Sequence, residues 1–288
     1  MHDADAGTVS LWPLDDASPS HLRDLAPGGV ALVGDSPAML LGASPERRDV
    51  LPITVNNSLA SGNMPSGWTE AVAGALTVEL WLRILDSKDY AGVTMLLGIP
   101  LYQTGVLEYN SPLHLTFGSN QLKPSFRWQY NTAQSEVFDC TTELNNYDQA
   151  WHYLAVTRTA AYWNGSAYRC TASWYIDGVF VNQSTERTPW NHNDKGFQTC
   201  PMFFGHAPNT ASYSDPLSFC LSDVRISSVA RTAQEIAEYY VSYAPLAVCN
   251  RVIPAAPLSS SIFRLTNASS ASSASPRGIS DAFHRGFN

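Results

Sequence analysis

The segment from Leu76 to Ile84 constrains this chain most. Leu76, Val78, Leu80, Leu82 and Ile84 alternate with Thr77, Glu79, Trp81 and Arg83. Period two over such a run predicts a half-buried β-strand, because successive side chains point to opposite faces of a sheet. Trp151–Thr157, Ser173–Ile176, Val179–Val181, Met202–Gly205 and Leu221–Ser227 read the same way; in the last, Val224 and Ile226 face one side, Asp223 and Arg225 the other. Asp177-Gly178 between two of these runs signals a tight hairpin, since a type I′ turn needs positive φ at both central residues. One helix stands out. Thr232 followed by Glu235 forms a capping box, Ile236, Tyr239 and Tyr240 give its apolar face, and Pro245 closes it. Pro52–Gly67 and Thr188–Cys200 read as loops. The fold class is all-β, a two-sheet antiparallel β-sandwich with one short helix near the C-terminal end and an extended tail.

Composition narrows the function classes. The 288 residues allow one large all-β domain with appendages, or two small domains. A chain of this size buries roughly three quarters of its unfolded surface and needs no staples. Only 15% of residues are charged, against about 25% in an average domain, while Trp, Tyr and Phe number 8, 13 and 11. Such a surface suits contact with sugars or other proteins. The formal net charge is −8 and no Lys/Arg cluster occurs, so neither nucleic acid nor a polyanionic membrane surface is an expected partner. No apolar run reaches the ~18 residues of a membrane-inserting span.

The five cysteines, Cys140, Cys170, Cys200, Cys220 and Cys249, show no CxxC spacing, which argues against zinc. Their odd number leaves at least one thiol free or paired between chains. Zero, one or two disulfides are all open, and a Cys200–Cys220 bridge is the favoured pairing. The N-terminus, Met1-His2-Asp3-Ala4-Asp5, has no basic or apolar stretch, so no secretory signal peptide is expected. The sequons at Asn56, Asn164, Asn182 and Asn267 then read as chance matches.

The last forty residues differ in texture. Leu246–Pro257 is apolar and broken by prolines, and Ser269–Ser275 is a Ser/Ala run that cannot offset its ordering entropy by burial. Two segments are therefore expected: a jelly-roll domain over 1–245 and an extended Ser/Ala/Pro-rich tail over 246–288. The tail is expected to contact other protein subunits of an assembly; the alternative folds it back on its own domain.

The order of the elements resembles laminin-G-like jelly-roll domains of the concanavalin A-like lectin/glucanase superfamily. The resemblance rests on Ser10-Leu11-Trp12-Pro13-Leu14-Asp15-Asp16 with Leu22–Leu25, on Leu76–Leu82, on Trp151–Thr157, on Trp174-Tyr175-Ile176-Asp177-Gly178, and on Ser222–Ser227 with Val229–Thr232 and the capping box. It covers roughly 7–245. It implies a two-sheet jelly roll that binds glycans, proteins or calcium, or holds structures together; fold alone does not choose among these. Such domains also occur in virion tail and surface proteins, and a chain without a signal fits a virion or any intracellular complex.

The same resemblance includes glycoside hydrolases, which need two carboxylates about 5–9 Å apart. On a strand that means acids at i and i+2 or i+4. Glu79 stands alone on its strand, and Glu136 and Asp139 are three apart and face opposite ways. No G-x-S-x-G elbow occurs. The chain is therefore expected to be no enzyme, with no catalytic residues. His152 reads as a packed or surface strand histidine. His192 and His206 lie near Asp194 and Asp215, the one arrangement open to a metal. No cofactor is expected, and no repeated Asp-x-Asp run supports Ca2+. The candidate carbohydrate-binding residues are aromatics beside amides: Trp128 and Tyr130, two apart on one strand face, and Trp190, Asn191 and His192 in a loop. Two functions follow, a structural or interaction module of a larger assembly such as a virion surface or tail, and alternatively a lectin-like carbohydrate-binding module. A glycoside hydrolase is a distant third.

Overall fold

The computed structural model of this protein describes residues 4–14, 23–34, 51–53, 59–63, 74–85, 94–99, 113–117, 122–131, 134–144, 150–187, 201–205 and 219–243. They lie in one compact unit, Met1–Cys249. The expected tail, 246–288, falls outside the described residues, as does the loop Thr188–Cys200.

The strands are β1 (Thr8–Trp12), β2 (Leu32–Gly34), β3 (Leu51–Ile53), β4 (Leu59–Asn63), β5 (Leu76–Ile84), β6 (Thr94–Ile99), β7 (Leu113–Phe117), β8 (Pro124–Asn131), β9 (Gln134–Asp139), β10 (Trp151–Arg158), β11 (Tyr162–Trp163), β12 (Tyr168–Arg169), β13 (Ala172–Ile176), β14 (Val179–Gln183), β15 (Pro201–Phe204) and β16 (Phe219–Ser227), followed by helix α1 (Ala233–Tyr243). They build two antiparallel sheets. The first runs β1-β16-β5-β10-β13-β14, with β3 also pairing β16; the second runs β2-β4-β15-β6-β7-β8-β9. The all-β sandwich with one short helix is as the sequence predicts. The expected loop over Pro52–Gly67 instead contains part of β3 and all of β4, strands too short to show a period.

The inner faces interdigitate. Val78, Leu80 and Leu82 of β5, Leu154 and Val156 of β10 and Trp174 of β13 meet Leu115, Phe117, Phe126 and Phe138 of the second sheet in one buried cluster. Trp174 donates its indole N–H to the Phe138 carbonyl across the interface (3.2 Å), so its polar tip is satisfied inside the core.

The centre of the first sheet is not half-buried as the alternation of Leu76–Ile84 predicts. Every β5 residue is buried except half-buried Arg83. The reason is α1, which lies over the outer face. Ile236, Tyr239 and Tyr240 pack onto Trp81, Trp151, Tyr153, Ala155, Tyr175 and Cys220. Tyr240 stacks on Trp81 with ring centroids 5.5 Å apart. The capping box forms as predicted: Thr232 N–H donates to Glu235 Oε2 (2.7 Å), and Glu235 N–H donates to Thr232 Oγ1 (3.2 Å).

The Asp177-Gly178 turn also forms, with φ of 52° and 76°. Asp177 fastens the turn to β10, accepting from Tyr153 N–H at 2.9 Å and pairing with His152 Nδ1 at 2.9 Å. Of the packed and surface alternatives for His152, the structure shows the packed one. Gly178 is required twice over, because a Cβ there would also lie 3.0 Å from Tyr240 Cβ.

The favoured Cys200–Cys220 bridge is a correction. Cys220 is a free, buried thiol. It sits inside the β16 ladder, opposite Arg83 of β5 and Pro52 of β3, and joins the aromatic cluster beneath α1. Burial in that apolar layer raises its pKa. Cys200 lies outside the described residues.

Candidate functional site

The residues singled out from the sequence do not converge on a describable site. Trp128 and Tyr130 lie on β8, where Trp128 pairs with Leu113 and Glu136 and a register shift falls between Gln129 and Asn131. Their side chains are outside the described set, as are Trp190, Asn191, His192, His206, Asp194 and Asp215 altogether. Among the described residues no group of three or more His, Cys, Asp or Glu side chains could hold a metal.

Two of the described acids with buried carboxylates, Glu79 and Asp24, serve the framework. Glu79 is completely buried under α1. Arg225 grips it with two hydrogen bonds, Nε to Oε2 at 2.7 Å and Nη2 to Oε1 at 2.9 Å. Arg231 Nε approaches Oε2 at 3.1 Å, and the Tyr153 hydroxyl donates to Oε1. Burial works against the Arg225 cation, but adjacent Glu79 more than offsets this, and the pKa of Arg225 is raised. Arg231 also reaches Asp5 at 2.5 Å, tying the N-terminal segment to the entry of α1. Asp24 accepts from Leu11 N–H (2.8 Å) and Ala26 N–H (2.9 Å), and burial raises its carboxyl pKa. Neither Glu79 nor Asp24 is presented to a substrate.

What the surface does present is an aromatic ribbon that the sequence reading passed over. The β10–β13 hairpin does not turn directly. It continues past Thr159, which donates to the Thr171 carbonyl, into the two-stranded ribbon β11–β12. Tyr162 pairs with Arg169 and Trp163 with Tyr168. Paired residues share a face and neighbours alternate. One face therefore carries Trp163 and Tyr168, the other Tyr162 and Arg169. Trp163 and Tyr168 are 60% and 61% exposed, large values for such rings. Their centroids are 5.4 Å apart at 68°, so the two rings form a corner open to solvent.

The rear face holds the ribbon in place. Glu186, just after β14, accepts from the Tyr162 hydroxyl (2.9 Å) and from Asn164 Nδ2 (2.8 Å), with Arg169 Nε at 4.0 Å. The hydrogen bonds from Asn164 and Tyr162, with the nearby Arg169 charge, hold the Glu186 carboxyl below its ordinary range. Asn164 Oδ1 caps the turn by accepting from Ser166 N–H and Ala167 N–H, both at 3.1 Å. Gly165 takes φ 97°, which a side chain would strain. Cys170 and Arg187 exchange backbone hydrogen bonds at the ribbon's base, and the Cys170 thiol also points to the Arg187 carbonyl. One sequence signal could have found this site: Asn164-Gly165 flanked by Tyr162-Trp163 and Tyr168 is a hairpin pattern.

A second latch lies nearby. Asn182 of β14 accepts from Thr141 N–H (3.0 Å) and donates to the Asp139 carbonyl (3.2 Å), joining the edge strands of the two sheets. Both described sequon asparagines, Asn164 and Asn182, thus use their side-chain amides in structural hydrogen bonds.

Comparison with known proteins agrees with this architecture. No curated protein matches the sequence. Among solved structures, a botulinum neurotoxin type C structure, reported with cell entry dependent on two ganglioside molecules, superposes with a TM-score of 0.58 at 11% identity, covering 82% of this chain and 51% of the other. The binding domain of botulinum neurotoxin DC with rat synaptotagmin II gives 0.58 at 10%, covering 82% and 51%. The same domain with SialylT gives 0.57 at 11%, covering 83% and 52%. The chain spans about half the length of these structures, and at such identities the likeness is one of fold. The model of the Concanavalin A-like lectin/glucanases superfamily matches residues 57–237. With more than half its length in that match and a two-sheet sandwich around it, this chain belongs to the Concanavalin A-like lectin/glucanases superfamily.

Proposed function

We propose that the chain is a non-catalytic recognition module that binds carbohydrate through Trp163 and Tyr168. The observation that carries this is the exposed ring pair, held from behind by Glu186 and Asn164. Two large rings in water are costly unless a ligand covers them, and a sugar's C–H face suits an indole while its hydroxyls suit a phenol. The similar neurotoxin structures involve gangliosides, SialylT and a protein, synaptotagmin II, which supports a recognition module that includes carbohydrate among its ligands. The non-catalytic part is supported by Glu79, whose two carboxylate oxygens are both bound internally by Arg225 and Tyr153. A glycan array probed with the wild type and with Trp163→Ala/Tyr168→Ala tests the reading. Binding lost in the double variant is expected; a wild type that retains no glycan refutes it.

A second reading has its own observation. Val179 and Phe180 at the β13–β14 turn and Val241 on α1 are exposed, which supports a protein-docking role in a larger assembly, a virion surface or tail being one case. Tail contacts through 246–288 belong to this reading. Light scattering of the full chain and of a form ending at 245 tests it, with self-association dependent on the tail as its expected result.

A further inference from the structure

We infer that Asn164 is a site of spontaneous modification, and that loss of its side-chain amide releases the ribbon from Glu186. The chemistry belongs to the ribbon itself, whatever Trp163 and Tyr168 bind.

Asn164-Gly165 is the one Asn-Gly pair in the sequence. Asparagine is a labile side chain, and most so before glycine, where no Cβ shields the backbone nitrogen from the side-chain carbonyl. Gly165 N attacks Asn164 Cγ, the new C–N bond closes a cyclic imide, and Nδ2 leaves as ammonia. Water then opens the imide at either carbonyl, giving aspartate or isoaspartate. Water is the only co-reactant, and no electrons are exchanged. The turn is open to it: Asn164, Gly165 and Ser166 are exposed, and a Cβ at Gly165 would have no atom within 4 Å.

The native turn restrains the amide. Asn164 Oδ1 accepts from Ser166 N–H (3.1 Å), the Ser166 hydroxyl (3.0 Å) and Ala167 N–H (3.1 Å). Asn164 Nδ2 donates to Glu186 Oε2 (2.8 Å), and Asn164 N–H donates to the Ala167 carbonyl (3.1 Å). Closing the imide re-aims Cγ and expels Nδ2, so the bond to Glu186 breaks on the way and the turn opens locally. The folded ribbon therefore slows a reaction that the bare dipeptide favours. The product then acts on the same contact. An aspartate keeps an oxygen for Ser166 and Ala167, but it sets a second carboxylate where the Nδ2 donor met Glu186. Two carboxylates that close repel and compete for one proton. Glu186 also accepts from the Tyr162 hydroxyl, next to Trp163 on β11. An attraction behind the ring pair thus becomes a repulsion. Isoaspartate adds a carbon to the main chain of the turn as well.

The test incubates the full chain, folded in buffer and unfolded in urea, at mildly alkaline pH and maps amide loss by peptide mass spectrometry. In the unfolded chain Asn164 is expected to convert ahead of every other asparagine. In the folded chain it is expected to convert at least about tenfold more slowly. Glu186→Ala, which leaves Nδ2 without its acceptor, should speed the folded reaction several-fold with the unfolding midpoint of the sandwich unchanged. Asn164→Asp reads the consequence. Hydrogen exchange at the ribbon amides Asn164 and Cys170 should quicken several-fold near neutrality, less so at high salt, and slow again in acid where one carboxyl takes the proton. The double variant Asn164→Asp/Glu186→Gln, in which the new amide donates to the aspartate, should restore slow exchange. Another asparagine converting first in urea would overturn the site. Equal rates folded and unfolded, or in wild type and Glu186→Ala, would overturn the restraint. Wild-type exchange in Asn164→Asp, or no recovery in the double variant, would overturn the release.

Discussion

Glu79→Ala probes the logic of the sandwich and of its non-catalytic reading together. The variant removes a fully buried carboxylate and leaves Arg225 and Arg231, with side chains only 5% and 8% exposed, facing each other beneath α1. It also leaves the Tyr153 hydroxyl without its acceptor. Breaking a buried ion pair from one side costs about 3–5 kcal/mol, because the remaining charge is uncompensated. Against the roughly 5–15 kcal/mol that hold a domain together, this is a large fraction. Urea unfolding followed by tryptophan fluorescence should show a midpoint lowered in proportion, with little change in slope. The double variant Glu79→Ala/Arg225→Ala should cost less than the sum of the singles, since the second change removes an orphaned cation; a coupling of about 0.5–3 kcal/mol is expected. A Glu79→Ala protein within about 1 kcal/mol of wild type, or strict additivity, would refute the reasoning. A glycan-binding affinity that survives Glu79→Ala where the protein stays folded would separate this acid from recognition.

Three further outcomes follow from particular residues. Gly178→Ala places a Cβ at φ 76° and 3.0 Å from Tyr240, so thermal unfolding should show a loss of about 1–3 kcal/mol; no loss would mean that the turn and helix readily shift. The Glu186 carboxyl is lowered from its ordinary 4.5 by hydrogen bonds from Asn164 and Tyr162. The stabilisation it gives the ribbon is therefore fully present above pH 4.5 and lost as pH falls through the lowered folded value; glycan affinity measured from pH 8 to 3 should be flat and then decline in acid, and a decline near neutrality would contradict this. Cys220 should stay unmodified by a thiol reagent in the native protein and react on unfolding, since it is buried with its pKa raised by burial; a Cys200–Cys220 peptide in a non-reducing digest would refute the free thiol.

How much of this was legible depends on what each signal reports. The alternation of Leu76–Ile84 marks a strand because one face must be apolar, and it does form the centre of the first sheet. It could not reveal that Glu79 and Trp81 are also buried, because their cover comes from Tyr239 and Tyr240, more than 150 residues away in sequence. Asp177-Gly178 and the Thr232/Glu235 box are local chemistry and read correctly. Cys220 misled because sequence spacing carries no information on which sheet neighbour a side chain meets. Trp163 and Tyr168 escaped notice because β11 and β12 are two residues each, too short for a period, and exposure is a tertiary property. The fold family was legible because several segments in order outweigh any single one.

The most direct measurement concerns the indole of Trp163. Among the described tryptophans, Trp12, Trp81, Trp151 and Trp174 are buried, and Trp163 is exposed. Mild oxidation followed by peptide mass spectrometry reads its accessibility, with and without a saturating oligosaccharide chosen from the glycan array. The rate of Trp163 oxidation is expected to fall several-fold when the saccharide is bound. A bound saccharide that leaves Trp163 as reactive as before would contradict the account.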